Sequence, residues 1–492
     1  MRVMFLSNCQ PTATRELNCP HKEPDSKEGK WQSQELEWKS MKNLALIPCF
    51  LTVRAVLAIL CVMALCSTSV FAQRVPNIML ILTDDVGREA IGCYGGVSYA
   101  TPNIDRLAAE GMRFEHFYAA PVCHPTRVAF ISGRYLHSLG NPRWGYYPKG
   151  ECEQQTIAHA MKRAGYATAA SGKWHLAMLK DDPRHPSRLG FDEHCFFGWH
   201  EGPRYWEPHV WENGELRSDI AKRFGPDVYL EFLIDFMRRH RSEPFFAYYP
   251  MTLCHAVSND LDPHPPHGSN GRYLTFAEMM VEMDKRVGRI VDAVDALGLK
   301  DKTLVFFTSD NGTTAKNYIR HEGRELIREP RVTSTVKGQR LVGQKGKFND
   351  WGTRVPAIAR WPGTIPVGST TDTLADGTDL LPTFAALGRQ DQLPHPIDGA
   401  SFAKLLTEGK SSSRPWVSPQ TKKEIAVRTM DWKLLHDGQL FDMRGDPFTE
   451  VAIPKADDTP ESKGARTRLS EILARLKERA SKTSNGSFPG DS

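Results

Sequence analysis

The run Pro76-Asn-Ile-Met-Leu-Ile-Leu-Thr83 is apolar without alternation and stops at Asp84-Asp85. A strand that lacks a polar face has to be covered on both sides, as in a mostly parallel sheet between two helix layers. Thr303 to Ser309 repeats the pattern and also ends in acid, at Asp310-Asn311. Tyr166 to Ala170 and Pro244 to Pro250 read as further strands. Helical patterns fall between them, from Pro102 to Ala109 behind Thr101, Gln154 to Arg163, Asp227 to His240 and Phe276 to Leu297. This alternation predicts an α/β fold with a large, mostly parallel or mixed sheet sandwiched by helices. In such sheets chemistry gathers beyond the carboxyl ends of the strands, where both acidic pairs fall.

Near residue 390 the pattern changes. Segments 424–429 and 432–443 predict short antiparallel strands turning at Asp437-Gly438, and a basic amphipathic helix follows over 465–480. The expected organisation is an upstream segment over 1–72, a catalytic domain over 73–390, a C-terminal subdomain with a small antiparallel sheet over 391–483, and a disordered tail over 484–492. Ser411-Ser-Ser-Arg-Pro415 reads as a surface loop.

The upstream segment carries an address. Met41-Lys42 and Arg54 supply positive charge, Ala55 to Leu65 an apolar core, and Val70-Phe71-Ala72 a small-residue cleavage site. These predict a true start at Met41, a signal peptide cleaved after Ala72, and export to the periplasm or the medium. Arg54 interrupts the apolar stretch, so no stable membrane insertion is expected. The net charge of +5 is mild and spread along the chain outside the basic tail after residue 463, so no nucleic-acid partner is expected. Of ten cysteines five precede Ala72; Cys93, Cys123, Cys152, Cys195 and Cys254 remain, free or partly bridged.

Asp84, Asp85, Asp310 and Asn311 are hard oxygen donors at strand ends, a set suited to calcium, with magnesium as the alternative. Cys123-His-Pro-Thr-Arg127 precedes the apolar run Val128 to Ile131. Proline is tolerated in the first turn of a helix, so Cys123 is expected at a helix N-terminus, where free N–H groups and Arg127 favour an anion.

The Cys-x-Pro-x-Arg core of this segment resembles the sulfatase signature, with Thr126 where most members carry serine. Further segments in family order are similar too: Gly172-Lys173-Trp-His175-Leu, the strand delivering His255, Gly343-Gln-Lys345-Gly-Lys347 leading into Arg354-Val-Pro, and Leu440-Phe-Asp-Met-Arg-Gly-Asp-Pro447. The resemblance implies that a formylglycine-generating maturation enzyme converts Cys123 to formylglycine, whose hydrate is the nucleophile and also completes a metal shell of Asp84, Asp85, Asp310 and Asn311. It implies that Arg127 holds this hydrate, that Lys173 and Lys345 bind sulfate, that His255 protonates the leaving alcohol with Lys345, and that His175 assists sulfate release. Lys347 is the alternative to Lys345, and His264 and His267 are weaker candidates beside His255. The implied substrates are sulfated saccharides, with aryl sulfates as a promiscuous activity. The aromatic stretch Phe196-Phe-Gly-Trp199 to Trp211 is a candidate sugar-binding rim. Phosphoryl hydrolysis with the same nucleophile, or an inactive glycan-binding protein, are the rival readings.

Overall fold

The computed structural model describes residues 75–485, apart from 200, 257–274, 323, 324, 329, 391, 392, 394–396, 412, 413, 446 and 447. The expected signal peptide over 1–72 lies outside the described residues, as do His264, His267 and the tail beyond 485.

Ten strands form the main sheet. In chain order they are β1 (Asn77–Thr83), β2 (Met112–Phe114), β3 (Ala167–Lys173), β4 (Glu193–Phe197), β5 (Val210–Glu212), β6 (Glu215–Leu216), β7 (Phe245–Pro250), β8 (Thr303–Ser309), β9 (Ala357–Arg360) and β10 (Ser369–Thr371). Their spatial order is β10-β2-β9-β8-β1-β7-β3-β4-β5-β6. The central run β8-β1-β7-β3-β4 is parallel throughout, and antiparallel strands flank it on both sides, β9 next to β8 and β5 next to β4.

All seven residues of β1 are buried. Alternate side chains enter opposite cores, which is the strand's period of two expressed in packing. Ile78, Leu80 and Leu82 join a cluster with helices α2 (Cys123–Ser132), α3 (Ile157–Arg163) and α6 (Leu380–Leu387). Met79 and Ile81 join a second with α1 (Pro102–Ala109), α4 (Gly225–Arg239) and α5 (Phe276–Ala296). Each such side chain contributes about 1.5 to 3 kcal/mol by leaving water. The register pairs Thr83 with Ser309 and Leu82 with both Thr308 and Pro250. The ends of β1, β7 and β8 are therefore level, and the acids that follow β1 and β8 are neighbours.

Several boundaries differ from the sequence reading. The helix expected over 154–163 is split, because Thr156 takes the N-cap of α3 and accepts from the amide of His159. The strand expected to stop at Ala170 runs on to Lys173. Phe402, Leu405 and Leu406 belong to the first core cluster, so packing of the main layer continues past residue 390. Ser411 and Pro415 are exposed, as expected of a surface loop, but the Arg414 side chain turns inward, 5% exposed, and pairs with Asp376 and Asp379.

A separate four-stranded sheet comprises β11 (Ala426–Arg428), β12 (Trp432–Leu435), β13 (Leu440–Asp442) and β14 (Ala452–Ile453). The turn at Asp437-Gly438 is present, with Gly438 at φ +87°. Helix α7 (Pro460–Asn485) lays Ala465, Leu469, Leu473 and Leu476 on this sheet, a spacing of three and four that forms one helical face. The helix is longer at both ends than expected and enters the segment read as tail. Tyr135, just beyond α2, belongs to the same cluster, and the described residues fall in one compact unit.

Candidate active site

Four parallel strands deliver the site at one edge of the sheet. Asp84 and Asp85 follow β1, Asp310 and Asn311 follow β8, Lys173 ends β3 with His175 just after it, and His255 lies beyond β7. Two positions show how closely these segments pack. A Cβ on Gly172, which has φ +131°, would sit 2.0 Å from the Pro250 carbonyl oxygen. A Cβ on Gly312 would sit 2.1 Å from the carbonyl oxygen of Trp351. Asp85 and His175 hold left-handed backbone conformations, φ +63° and +54°, which L side chains avoid at a cost of about 1 to 3 kcal/mol. Both are residues assigned chemistry from the sequence.

Cys123 is the first residue of α2, as expected, and Pro125 lies within its first turn. Its Sγ is 3.5 Å from His175 Nδ1. Burial pushes the thiol's pKa up against the pull of Lys173 and Lys345, so unmodified Cys123 is protonated near neutrality. Arg127, one turn along, is fully buried and ties the strand ends together, with Nη2 at 2.7 Å from Asp310 and 3.2 Å from Asp84. Thr126, the departure from serine, still offers a hydroxyl, which donates to the Asp310 carbonyl at 2.6 Å.

Two lysines face two aspartates. Lys173 pairs with Asp84, and Lys345 Nζ lies 2.5 Å from Asp85 Oδ1. Lys345 is held by its amide, which donates to the Thr313 carbonyl at 2.9 Å, and by Gly346 N–H, which donates to Pro121 O at 2.7 Å. Lys347 is exposed, so the geometry selects Lys345 of the two candidates. Burial raises the Asp84 pKa, yet Lys173, Arg127 and Lys345 together outweigh it and hold this carboxyl well below the usual range. Burial and the nearby Asp84 push Asp310 up to about 7. Burial also raises Asp85.

This crowding of negative charge fits a cation. Asp84 Oδ1 and Asn311 Oδ1 are both buried without a hydrogen-bond partner, while Asn311 Nδ2 donates to Asp85 Oδ1 at 2.8 Å. Orphaned buried oxygens are costly unless something positive meets them. Among the described His, Cys, Asp and Glu side chains, Asp84, Asp85 and His255 offer ligand atoms within 4.8 Å of one another. Of the expected ligands, Asp310 and Cys123 stand outside that trio: the Asp310 carboxylate receives Arg127 and the Asp85 amide, and Cys123 faces His175.

Sequence reasoning missed Arg204, whose Nη1 lies 2.6 Å from His255 Nδ1 and whose guanidinium stacks 5.0 Å from the Phe197 ring centroid. Its only signal was membership of the aromatic-rich stretch. Burial, Lys173, Lys345 and Arg204 depress the His255 pKa, and burial, Lys173 and His124 depress that of His175, so both rings are neutral near pH 7. The expected aromatic rim is mostly core. Phe196, Phe197 and Tyr205 are buried, and Trp211 is tied to Glu201. Trp199 packs its ring 4.3 Å from that of His175. All five cysteines beyond residue 72 are unbridged.

A sulfatase family profile matches residues 76–389. The chain belongs to the sulfatase family. Its members hydrolyse sulfate esters and rely on formylglycine and a divalent metal. Human N-acetylgalactosamine-6-sulfatase is 32% identical over 373 residues, 70% of this chain and 68% of that protein. Human arylsulfatase A is 31% identical, over 73% of this chain and 74% of its own length. The fold matches the crystal structure of Ps i-CgsB in complex with k-i-k-neocarrahexaose, with a TM-score of 0.65, 24% identity, and coverage of 84% of this chain and 94% of that one.

Proposed function

We propose that this sulfatase removes sulfate from saccharides, using a nucleophile made from Cys123 and a calcium ion held by Asp84, Asp85 and Asn311, with Asp310 beside them. The observation that carries this reading is the seating of Cys123 at the N-terminus of α2, 3.5 Å from a neutral His175 and within the field of both Lys173 and Lys345. Two relatives favour a sulfated sugar, since one is named for N-acetylgalactosamine 6-sulfate and a fold neighbour was solved with a neocarrahexaose.

The protonated thiol of Cys123 is a poor nucleophile in this setting. Oxidation to formylglycine by a maturation enzyme replaces it with an aldehyde whose hydrate offers two hydroxyls. A bound dication supplies a Lewis acid that lowers the pKa of an oxygen it holds. Arg127 stays charged and keeps Asp84 and Asp310 fixed. Lys173 and Lys345, turned from their aspartates toward an incoming ester, neutralise the sulfate oxygens and orient them. His255, steadied by Arg204 at Nδ1, handles the proton at the leaving oxygen, and His175 Nδ1 takes a proton from the nucleophile's side. Export through the segment before residue 73, with its positive charge, apolar run and small-residue cleavage site, belongs to the same proposal.

The test is peptide mass spectrometry of the Cys123 peptide from cells that coexpress a maturation enzyme, followed by turnover of 4-nitrophenyl sulfate beside a matching aryl phosphodiester. A loss of about 18 Da, the replacement of SH2 by O, with faster sulfate release is expected. An unmodified Cys123, or preference for the phosphodiester, overturns the reading. Calcium is expected to raise the melting temperature of the wild type and not of Asp84→Asn.

A further inference from the structure

Among the described residues seven large hydrophobic side chains are exposed, and Trp144 is the aromatic one, at 46%. Isolated exposed aliphatics such as Val97 or Val367 need no explanation. Trp144 differs by its place. Its ring centroid lies 5.3 Å from that of His175 and 5.3 Å from that of His124, the neighbours of Lys173 and Cys123 in space and sequence. The His175 ring links the indole to the Cys123 sulfur, since its Nδ1 is 3.5 Å from Sγ.

The loop carrying Trp144 is fastened to both catalytic segments. Tyr146 N–H donates to the Arg143 carbonyl at 3.0 Å, closing a turn around the tryptophan, and Tyr147 N–H donates to the Leu176 carbonyl at 2.8 Å. The Tyr146 carbonyl lies 2.8 Å from His124 Nε2. Gly145, at φ +82°, leaves room for Trp199, since a Cβ there would fall 2.5 Å from the Trp199 ring. The indole is thus fixed relative to the nucleophile while much of its surface faces water, which is how a preorganised contact is built.

We infer that Trp144 is the platform on which the sugar ring bearing the scissile sulfate stacks, and so a specificity-determining residue. This rests on the sulfatase reading above. With the sulfate group held against the nucleophile at Cys123, the leaving oxygen and its ring must project outward from a buried floor. A pyranose presents a face of C–H groups, and an indole is the side chain best able to cover it while its rim stays wet. Arg143 and Lys149, both exposed in the same loop, suit a substrate with further sulfates or carboxylates.

The experiment compares wild type, Trp144→Ala and Trp144→Phe on N-acetylgalactosamine 6-sulfate, galactose 6-sulfate and 4-nitrophenyl sulfate. For Trp144→Ala the KM on the saccharides is expected to rise about tenfold, with kcat and the aryl sulfate rate within about twofold of wild type. Trp144→Phe is expected to recover most of the loss. An unchanged saccharide KM, or an equal fall in kcat on all three substrates, overturns the platform. So does a wild type that cleaves the aryl sulfate and neither saccharide. A wild type inert on all three instead removes the sulfatase reading itself, a failure visible before any variant is compared.

Discussion

The floor of the site and its roof are built differently. Asp84, Arg127, Lys173, Asp310 and Asn311 sit at or beside strand ends and are at most 1% exposed; the first four are locked by one another's charges and Asn311 by its hydrogen bond to Asp85. Lys345, His255 and Trp144 ride on loops that reach the floor through a few backbone hydrogen bonds, and Lys345 keeps 21% of its side chain in solvent. The floor's geometry is therefore coupled to the core of the fold, whereas the roof can be altered without touching the sheet. Substitutions in the floor should cost stability and activity together, and those in the roof chiefly activity.

The largest effect expected is on turnover. Cys123→Ala should lower the rate of aryl sulfate hydrolysis by about 10^4-fold or more, measured after the maturation state of the wild type has been verified. Arg127→Leu then tests the coupling. It leaves the Asp310 carboxylate buried without its cation, takes one of two cations from Asp84, and should cost about 3 to 5 kcal/mol in denaturant unfolding as well as activity. Lys345→Ala is the roof counterpart: a loss of about 10^2- to 10^3-fold in kcat/KM with a smaller loss in denaturant unfolding than Arg127→Leu, because it frees one buried carboxylate, Asp85, from a lysine that is itself part-exposed. If Lys345→Ala unfolds as readily as Arg127→Leu, the distinction fails.

The same division explains what could be read from the chain. Asp84-Asp85 and Asp310-Asn311 were visible because a run buried on both faces must end before it can carry acid, and the strand end is where a parallel sheet presents it. The roof is set by contacts between segments distant in sequence. In Gly343-Gln-Lys345-Gly-Lys347 the resemblance names Lys345 with Lys347 as the alternative, while the loop's orientation, held by the hydrogen bond from Gly346 to Pro121, has no sign in the spacing. Arg204 reaches His255 across 51 residues, and Trp144 reaches His175 from a turn with no periodicity. The stretch 196–211 read as a rim because aromatics look alike in sequence whether they face core or water. Phe196 and Phe197 lie on β4 inside the sheet.

Acid should weaken the packing that supports the floor. Trp174, between Lys173 and His175, donates from Nε1 to His185 Nδ1 at 3.0 Å, which requires a ring whose Nδ1 is unprotonated. Burial, with Arg188 nearby, lowers the His185 pKa to about 4 from the ordinary 6.5. Between those values the unfolded chain binds the extra proton, so the stability this ring contributes is full above 6.5 and is lost as pH falls toward 4. Thermal melts from pH 7 to pH 4.5 should show a decline that His185→Gln makes shallower by about 1 to 2 kcal/mol. An identical decline in the variant would assign acid lability to other buried histidines such as His124 and His194, whose pKa values are also lowered to about 4.

The smallest effect bears on what holds the roof. Lys433, on β12 of the C-terminal sheet, donates to the Phe348 carbonyl at 3.0 Å and pairs with Glu450, which in turn accepts from the Asp350 amide at 2.7 Å. Phe348 and Asp350 follow Lys345 closely, and Asn349 caps the helical turn between them and Thr353. The C-terminal sheet thus clamps the segment that delivers the second lysine, and its packing through Tyr135 joins it to the end of α2 as well. Removing Lys433 alone would strand a buried carboxylate and confuse clamp with stability. The paired change Lys433→Met with Glu450→Gln removes both charges and retains an amide oxygen for Asp350 N–H. It should leave unfolding within about 1 kcal/mol of wild type and lower kcat/KM about threefold to tenfold, because Lys345 is then less well positioned. Wild-type kinetics in the pair variant would mean that the bonds of Lys345 to Thr313 and of Gly346 to Pro121 suffice, and that the roof, like the floor, is held by the main layer.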